Sequence, residues 1–401
     1  MNILFLTMAK IADITESGIY TDLMRKFQNE GHHVYVIYPQ ERKTKLPTQL
    51  RTQNGIEILG VKTLNVTKTN IIEKGIGQLL LEHQFTSAIN KYWGSINFDL
   101  VLYSTPPITF TNVIKYLKEK SSVNTYLLLK DIFPQNAVDL GLLTTTGFKG
   151  LLYTFFRKKE TELYRISDYI GCMSPANVQY ILEHNPEINP SRVEVAPNSY
   201  EIPCHSNEVA HSSIRQKYNL PTELPIFIYG GNMGKPQGIP FLIKCLNAIK
   251  DRTDCHFVIV GDGTEYQKLS TWFKEVAPKS VSLFNKLPKV DYDALTNACD
   301  VGLIFLDYNF TIPNYPSRLL PYLIKSKPII AATDPNCDVG TLAEQHNYGF
   351  YCPSNSISSF VNTIEKMLVA DINKMGQNGY QFYLNNYTIE HTYQAIIKHF
   401  K

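Results

Sequence analysis

The chain has 401 residues, 44% of them hydrophobic and 19% charged, and a formal net charge of +3. That length exceeds what one hydrophobic core usually supports and predicts two domains of about 200 residues each. The small charge excludes a nucleic-acid partner, which would show as a concentrated basic face, and no apolar run is long enough to span a bilayer.

The segment 1–8 has an apolar run but no basic region before it, so it reads as a buried strand and not as a secretory signal. Seven cysteines form no CxxC pair and leave one over, which argues against a disulfide framework or a zinc site and fits a reducing cytoplasm. From there the chain alternates. Residues 3–7 are predicted as a strand, 20–30 as a helix and 34–38 as the next strand, a βαβ unit that favours a parallel sheet. Strands at 56–61, 100–103, 126–129 and 169–173 follow, separated by helical stretches around 77–93, 109–120 and 151–165. A Pro-, Ser- and His-containing stretch reaching about Ser212 reads as the hinge. A second cycle then places strands at 226–229, 256–260, 281–284, 301–305 and 328–331, with helices near 238–251, 266–275, 292–299 and 316–325. The predicted domains are 1–200 and 201–375, each a doubly wound, Rossmann-like α/β layer. A Tyr- and Asn-rich helix at 376–401 stands outside both cycles.

Ligands of parallel sheets sit at the carboxyl ends of strands, where helix N-termini offer free N–H groups to an anion. Ser17-Gly18-Ile19 lies at such a helix start, although Gly18 reads equally as a turn. Lys130, Asp131 and Gln135 close a buried strand, as a site or as a helix cap. The stretch 148–159 combines an aromatic, apolar face with three consecutive basic residues. It reads either as a surface for an anionic membrane or as a packed helix with a solvated cationic end, and Arg42-Lys-Thr-Lys45 adds a second basic cluster.

The strongest anion signal is Gly230-Gly-Asn-Met-Gly-Lys-Pro-Gln-Gly238, where a strand runs into four glycines, one lysine and a helix. There Gly231, Asn232 and Gly234 can bring backbone close to a diphosphate and Lys235 can add charge. Asp262 and Gly263 end another strand of the same half, Asp262 reading also as a helix cap. Arg318, after Ser317 and in the first turn of a helix, is electrostatically misplaced unless an anion lies there. Asp291-Tyr-Asp293 matches a metal-binding DxD in letters but precedes a helix and reads as a cap, so no metal is expected. No H-E-x-x-H, G-x-S-x-G, Walker loop or G-x-G-x-x-G occurs, and no cofactor is expected.

These motifs, in this order, resemble glycosyltransferase family 4, retaining enzymes of GT-B fold whose two Rossmann-like domains face a cleft. The segments 130–134, 167–174, 230–238 and 316–322 look most like the bacterial capsule and O-antigen branch, and within it the chain is similar to N-acetyl-L-fucosamine transferases. The resemblance implies a UDP-sugar donor and a polyprenyl-diphosphate-linked saccharide acceptor, at the cytoplasmic face of the inner membrane. By position it implies donor contacts from Gly18, Gly231, Asn232, Lys235, Ser317 and Arg318, an acceptor side at Asp131, and a C-terminal helix returning to the first domain. Two departures stand out. Asn232 and Gln237 occupy positions where many relatives have an arginine and a lysine, and Pro313 and Pro321 stand where relatives have two glutamates, the second a ribose ligand. A nucleotide-sugar epimerase of the same architecture and a non-catalytic scaffold subunit are the rival readings.

Overall fold

The computed structural model describes residues 1–66, 71–202 and 211–400; the expected hinge therefore falls largely outside the described residues. The chain divides into two compact units, one formed by Met1–Glu201 with Thr388–Lys401, the other by Ile202–Tyr387.

The first unit is built on β1 (Asn2–Leu6), β2 (His33–Glu41), β3 (Gln49–Gln53), β4 (Ile56–Thr63), β5 (Leu100–Ser104), β6 (Asn124–Leu129), β7 (Tyr169–Cys172) and β8 (Val193–Val195). Their spatial order is β3-β4-β2-β1-β5-β6-β7-β8. β1, β5 and β6 are continuous apolar runs because helices cover both faces of the sheet. The sheet is parallel except at β3, which pairs antiparallel with β4. That edge strand was not expected: Gln49-Leu-Arg-Thr-Gln53 carries a single apolar residue and gives no period-two signal. Sequence order reverses between β1 and β5, so the switch point of this sheet lies at the loops that follow those two strands.

The second unit carries β9 (Ile226–Asn232), β10 (His256–Asp262), β11 (Val281–Phe284), β12 (Val301–Phe305), β13 (Ile329–Thr333) and β14 (Gly349–Pro353). They form one parallel sheet in the order β11-β10-β9-β12-β13-β14. Its switch point lies between β9 and β12. A core of Phe227, Tyr229, Phe257, Ile259, Leu303 and Phe305 fills one side of the sheet against the helices Ile239–Ile249 and Ile357–Leu368.

The tail corrects an expectation. Residues 376–401 do not form one helix. Ile372–Asn386 and Ile389–Ile397 are separate helices, and they belong to different units. The first packs on the helix Leu319–Ile324, where a Cβ on Gly376 would lie 1.9 Å from the Ser326 carbonyl oxygen. The second sets Ile389, Tyr393, Ile396 and Ile397 into the core of the first unit. Tyr393 meets Phe27 edge-on at 5.0 Å, Thr392 Oγ1 donates to the Pro197 carbonyl at 3.1 Å, and His399 lies 2.7 Å from Glu194. The described cysteines, all but Cys204, are free and buried.

Candidate functional site

At the carboxyl edge of the second unit the two glycine loops lie against each other. Gly231 pairs with Gly261 and Asn232 with Asp262 across β9 and β10. Past the strand ends, the Met233 amide donates to the Asp262 carbonyl at 2.8 Å and the Glu265 amide to the Met233 carbonyl at 2.8 Å. Gly261, at φ +152°, has no room for a side chain, since a Cβ there would sit 1.9 Å from the Gly231 oxygen. Gly231, at φ +115°, has open space instead; its nearest neighbour is the Arg318 guanidinium, 3.8 Å from where a Cβ would be. One glycine thus keeps the loops in contact, and the other holds a left-handed backbone facing solvent.

The next loop turn is closed by Gln237, whose Oε1 accepts from Asn232 Nδ2 at 3.0 Å and from the Gly234 amide at 3.0 Å. The Gly234 N–H is therefore engaged within the loop. Lys235 opens a short 3-10 turn and is exposed, as are Asn232 and Gly263; Asp262 is half-buried. Asp262 caps nothing, because the N-cap of Tyr266–Val276 is Glu265.

β12 starts in register with β9, Val301 opposite Phe227 and Gly302 opposite Ile228, and beyond its end the Asp307 amide donates to the Pro236 carbonyl at 2.9 Å, which brings the following loop onto the first glycine loop. Arg318 is the N-cap residue of Leu319–Ile324, one position before the first turn in which it was expected. Its guanidinium lies over the Tyr229 ring at 4.6 Å from the centroid, and Nη2 makes a long contact of 3.4 Å to the Asn232 carbonyl. Nη1 is shielded from solvent and has no hydrogen-bond partner. A half-buried cation with an idle donor, at the switch point of a parallel sheet, is arranged to receive an anion. Ser317 beside it is exposed.

Tyr229 was missed in the sequence, where it is one more apolar letter in a strand. Its hydroxyl donates to the Asn232 carbonyl at 2.8 Å while its ring carries Arg318, so one side chain fixes the glycine loop and the cation together. Burial raises the Tyr229 phenol, with Arg318 opposing the rise. Behind it, Tyr322 donates to the Ile228 carbonyl at 3.0 Å and seats the helix Leu319–Ile324 on the strand.

In the first unit Lys130 and Asp131 stand at the carboxyl end of β6, as expected, but they do not bond each other. Lys130 Nζ donates to the Ala196 carbonyl at 3.0 Å. Both Asp131 oxygens face Asn136 Nδ2, at 2.8 and 2.9 Å. Thr105 Oγ1 accepts from the Lys130 and Asp131 amides and fixes the turn. Each charge is thus desolvated singly: burial pushes the Lys130 ammonium down to about 7 and the Asp131 carboxyl up to about 6, although bonds from Asn136 and the Ile132 amide pull the latter down. Gln135 Nε2 donates to Asp139 at 2.8 Å. The Gly18 amide donates to Asp22 Oδ1 at 2.9 Å, so it is satisfied within its own helix start.

Asp291 and Asp293 do not precede a helix; they lie inside Lys289–Ala298, and Asp291 bonds Lys217 at 2.7 Å. Among the described residues no group of three or more His, Cys, Asp or Glu is placed to hold a metal ion.

Residues 211–382 match the family described as "Glycosyl transferases group 1". The matched residues all lie in the second unit. The chain is also similar to the "Probable glycosyltransferase WbjE" of Pseudomonas aeruginosa, 20% identical over 368 residues, covering 91% of this chain and 89% of the relative. Among solved structures it resembles sucrose-phosphate synthase from Thermosynechococcus elongatus, with a TM-score of 0.77 at 15% identity over 100% of this chain and 98% of the other. Anabaena HepE in complex with UDP follows, with a TM-score of 0.68 at 15% identity, covering 100% and 99%. The two α/β units are those of the GT-B fold. The matched residues contain both glycine loops, Lys235 and Arg318, whereas Lys130 and Asp131 belong to the other unit.

Proposed function

We propose that the protein is a retaining, metal-independent glycosyltransferase that takes a sugar from a UDP-sugar held by the second unit and gives it to a polyprenyl-diphosphate-linked saccharide bound by the first. The observation that carries this reading is the Arg318 guanidinium, stacked on Tyr229 with an idle donor beside the left-handed Gly231 backbone. A nucleoside diphosphate is an anion that suits this donor and this backbone, and the UDP bound by Anabaena HepE is of that class.

In this mechanism Arg318 and Lys235 meet the charge that grows on the departing diphosphate, work that a metal does elsewhere. Asn232, Gly231, Asp262, Gly263 and Ser317 shape the donor side. The leaving phosphate takes the acceptor proton on the same face of the sugar, so no protein nucleophile is required. Lys130, Asp131 and Gln135 line the acceptor side, where Asp131, with its raised affinity for a proton, bonds an acceptor hydroxyl. Capsule or O-antigen synthesis at the cytoplasmic face of a membrane, with N-acetyl-L-fucosamine as the sugar, is the setting we favour from the resemblance of residues 130–134, 167–174, 230–238 and 316–322.

The test is a screen of UDP-sugars with purified protein and a short lipid-diphosphate saccharide, read by mass, alongside UDP titration by calorimetry. A mass increment of one sugar, with UDP released, is expected. Absence of UDP and UDP-sugar binding would refute the reading.

A further inference from the structure

The helix Gly147–Ile166 has an outer side that nothing in its own unit explains. Leu151, Leu152 and Phe155 are exposed by 69%, 44% and 44%, and Leu142, in the loop just before the helix, by 52%. The spacing of 151, 152 and 155 puts these three on one helical face, so they form a patch and not scattered apolar residues. Elsewhere on the helix, Lys149, Lys158 and Arg165 are exposed. Among the described residues none of the three forms an ion pair. The acidic residues are neutralised: Glu160 is buried against Arg157 at 2.6 Å, and Glu162 is bonded by Lys115. A groove of about 510 Å³ runs along the helix past Lys158 and Arg165.

The inner side of the same helix carries the acceptor loop. Phe156 meets Phe133 edge-on at 5.1 Å, and Tyr153 donates to Gln135 Oε1 at 3.4 Å. Burial raises the Glu160 carboxyl, Arg157 and Tyr164 oppose the rise, and the charge of Asp131 adds to it, which places Glu160 within electrostatic reach of the loop.

We infer that this helix is a membrane-docking element: Leu151, Leu152 and Phe155 enter an anionic lipid surface, Lys149, Lys158 and Arg165 contact its headgroups, and the inner face holds the Lys130–Gln135 loop at the depth of a lipid-borne diphosphate. The inference rests on the proposed lipid-linked acceptor and gives that acceptor its route to the loop. An apolar stripe beside uncompensated cations fits an anionic bilayer. A second copy of the chain would bring the same cations onto one another.

Co-sedimentation with vesicles of phosphatidylcholine alone and of phosphatidylcholine with phosphatidylglycerol tests it, on the full chain. Binding to the phosphatidylglycerol vesicles is expected, weakened by salt. It should fall about a hundredfold in Leu151→Ser/Leu152→Ser/Phe155→Ser and, at low salt, about a hundredfold in Lys149→Gln/Lys158→Gln/Arg165→Gln. UDP binding by calorimetry should be unchanged in both variants, and an unchanged denaturation midpoint of the first unit reports that it still folds. No vesicle binding by the parent, equal binding by the apolar variant, or a dimer in sedimentation that the apolar variant abolishes would each overturn the inference. Parent protein that binds UDP but not vesicles defeats the docking alone; parent that binds vesicles but not UDP defeats the donor reading alone.

Discussion

Replacing Arg318 by alanine tests the donor site most directly. The guanidinium has no carboxylate partner among the described residues; it is held by the Tyr229 ring at 4.6 Å and by a long contact to the Asn232 carbonyl. Removing it therefore breaks no ion pair in the free protein, and the stability lost is limited to a stacking contact of about 1 kcal/mol. The ligand-bound state loses far more: a charge-assisted, half-desolvated contact to phosphate contributes about 3 kcal/mol, or roughly a hundredfold in kcat/KM. Arg318→Lys keeps the charge but loses the planar fork and its stacking, and about a tenfold loss is expected. Lys235 is exposed, so its field is screened by water, and Lys235→Ala should cost nearer tenfold than a hundredfold. The assay is UDP affinity by calorimetry together with turnover. An Arg318→Ala protein within about threefold of the parent in both would remove this residue from the mechanism.

Four further outcomes are expected. Gly261→Ala, which drives a methyl into the Gly231 oxygen, should cost about 3 kcal/mol of stability, while Gly231→Ala should cost about 1 kcal/mol but weaken UDP binding; equal melting temperatures for the two would contradict the loop geometry. Asp131 titrates at about 6 when folded and near 3.9 when unfolded, so its contribution to stability is full below about pH 4 and is lost as pH rises through 6. Asp131→Asn should therefore gain stability over the parent between pH 4 and 7, and a difference in unfolding free energy that does not change with pH would dismiss this. Deleting Thr388–Lys401 removes Ile389, Tyr393, Ile396 and Ile397 from the first unit's core, at about 1.5–3 kcal/mol each, and should unfold that unit while leaving the second resistant to proteolysis; an unchanged denaturation midpoint would be inconsistent with it. Turnover should survive EDTA and the substitutions Asp291→Asn and Asp293→Asn within about threefold, since removing the Lys217 contact costs at most about 1 kcal/mol; rescue of a chelated enzyme by manganese would reinstate those aspartates.

The parallel strands were legible because burial on both faces writes them as unbroken apolar runs, and the glycine loops because backbone needs show as glycine. What the sequence hid follows from the same physics. β3 has one apolar residue and is defined by pairing with β4. The tail repeats aromatic and aliphatic residues at helical spacing on both sides of Tyr387, and periodicity cannot say which core a helix face meets; Phe382 and Tyr383 enter one unit and Tyr393 and Ile396 the other. Lys130 and Asp131, adjacent in sequence, suggest a charge pair, yet their side chains part to Ala196 and Asn136 and each carries its desolvation alone.

The departures at the donor loop now have a physical reading. Asn232 and Gln237, at positions where the resemblance implies an arginine and a lysine, bond each other at 3.0 Å, so a neutral brace holds the loop and Arg318 and Lys235 are its cations. Pro321 is just as cheap for the fold. It is the third residue of Leu319–Ile324, where the amide has no partner within the helix, so losing the N–H costs no helical hydrogen bond. Neither change leaves a mark on the architecture. Under the proposed function their effect falls on the ligand, because Pro321 offers a ribose no side-chain acceptor where the resemblance implies a glutamate.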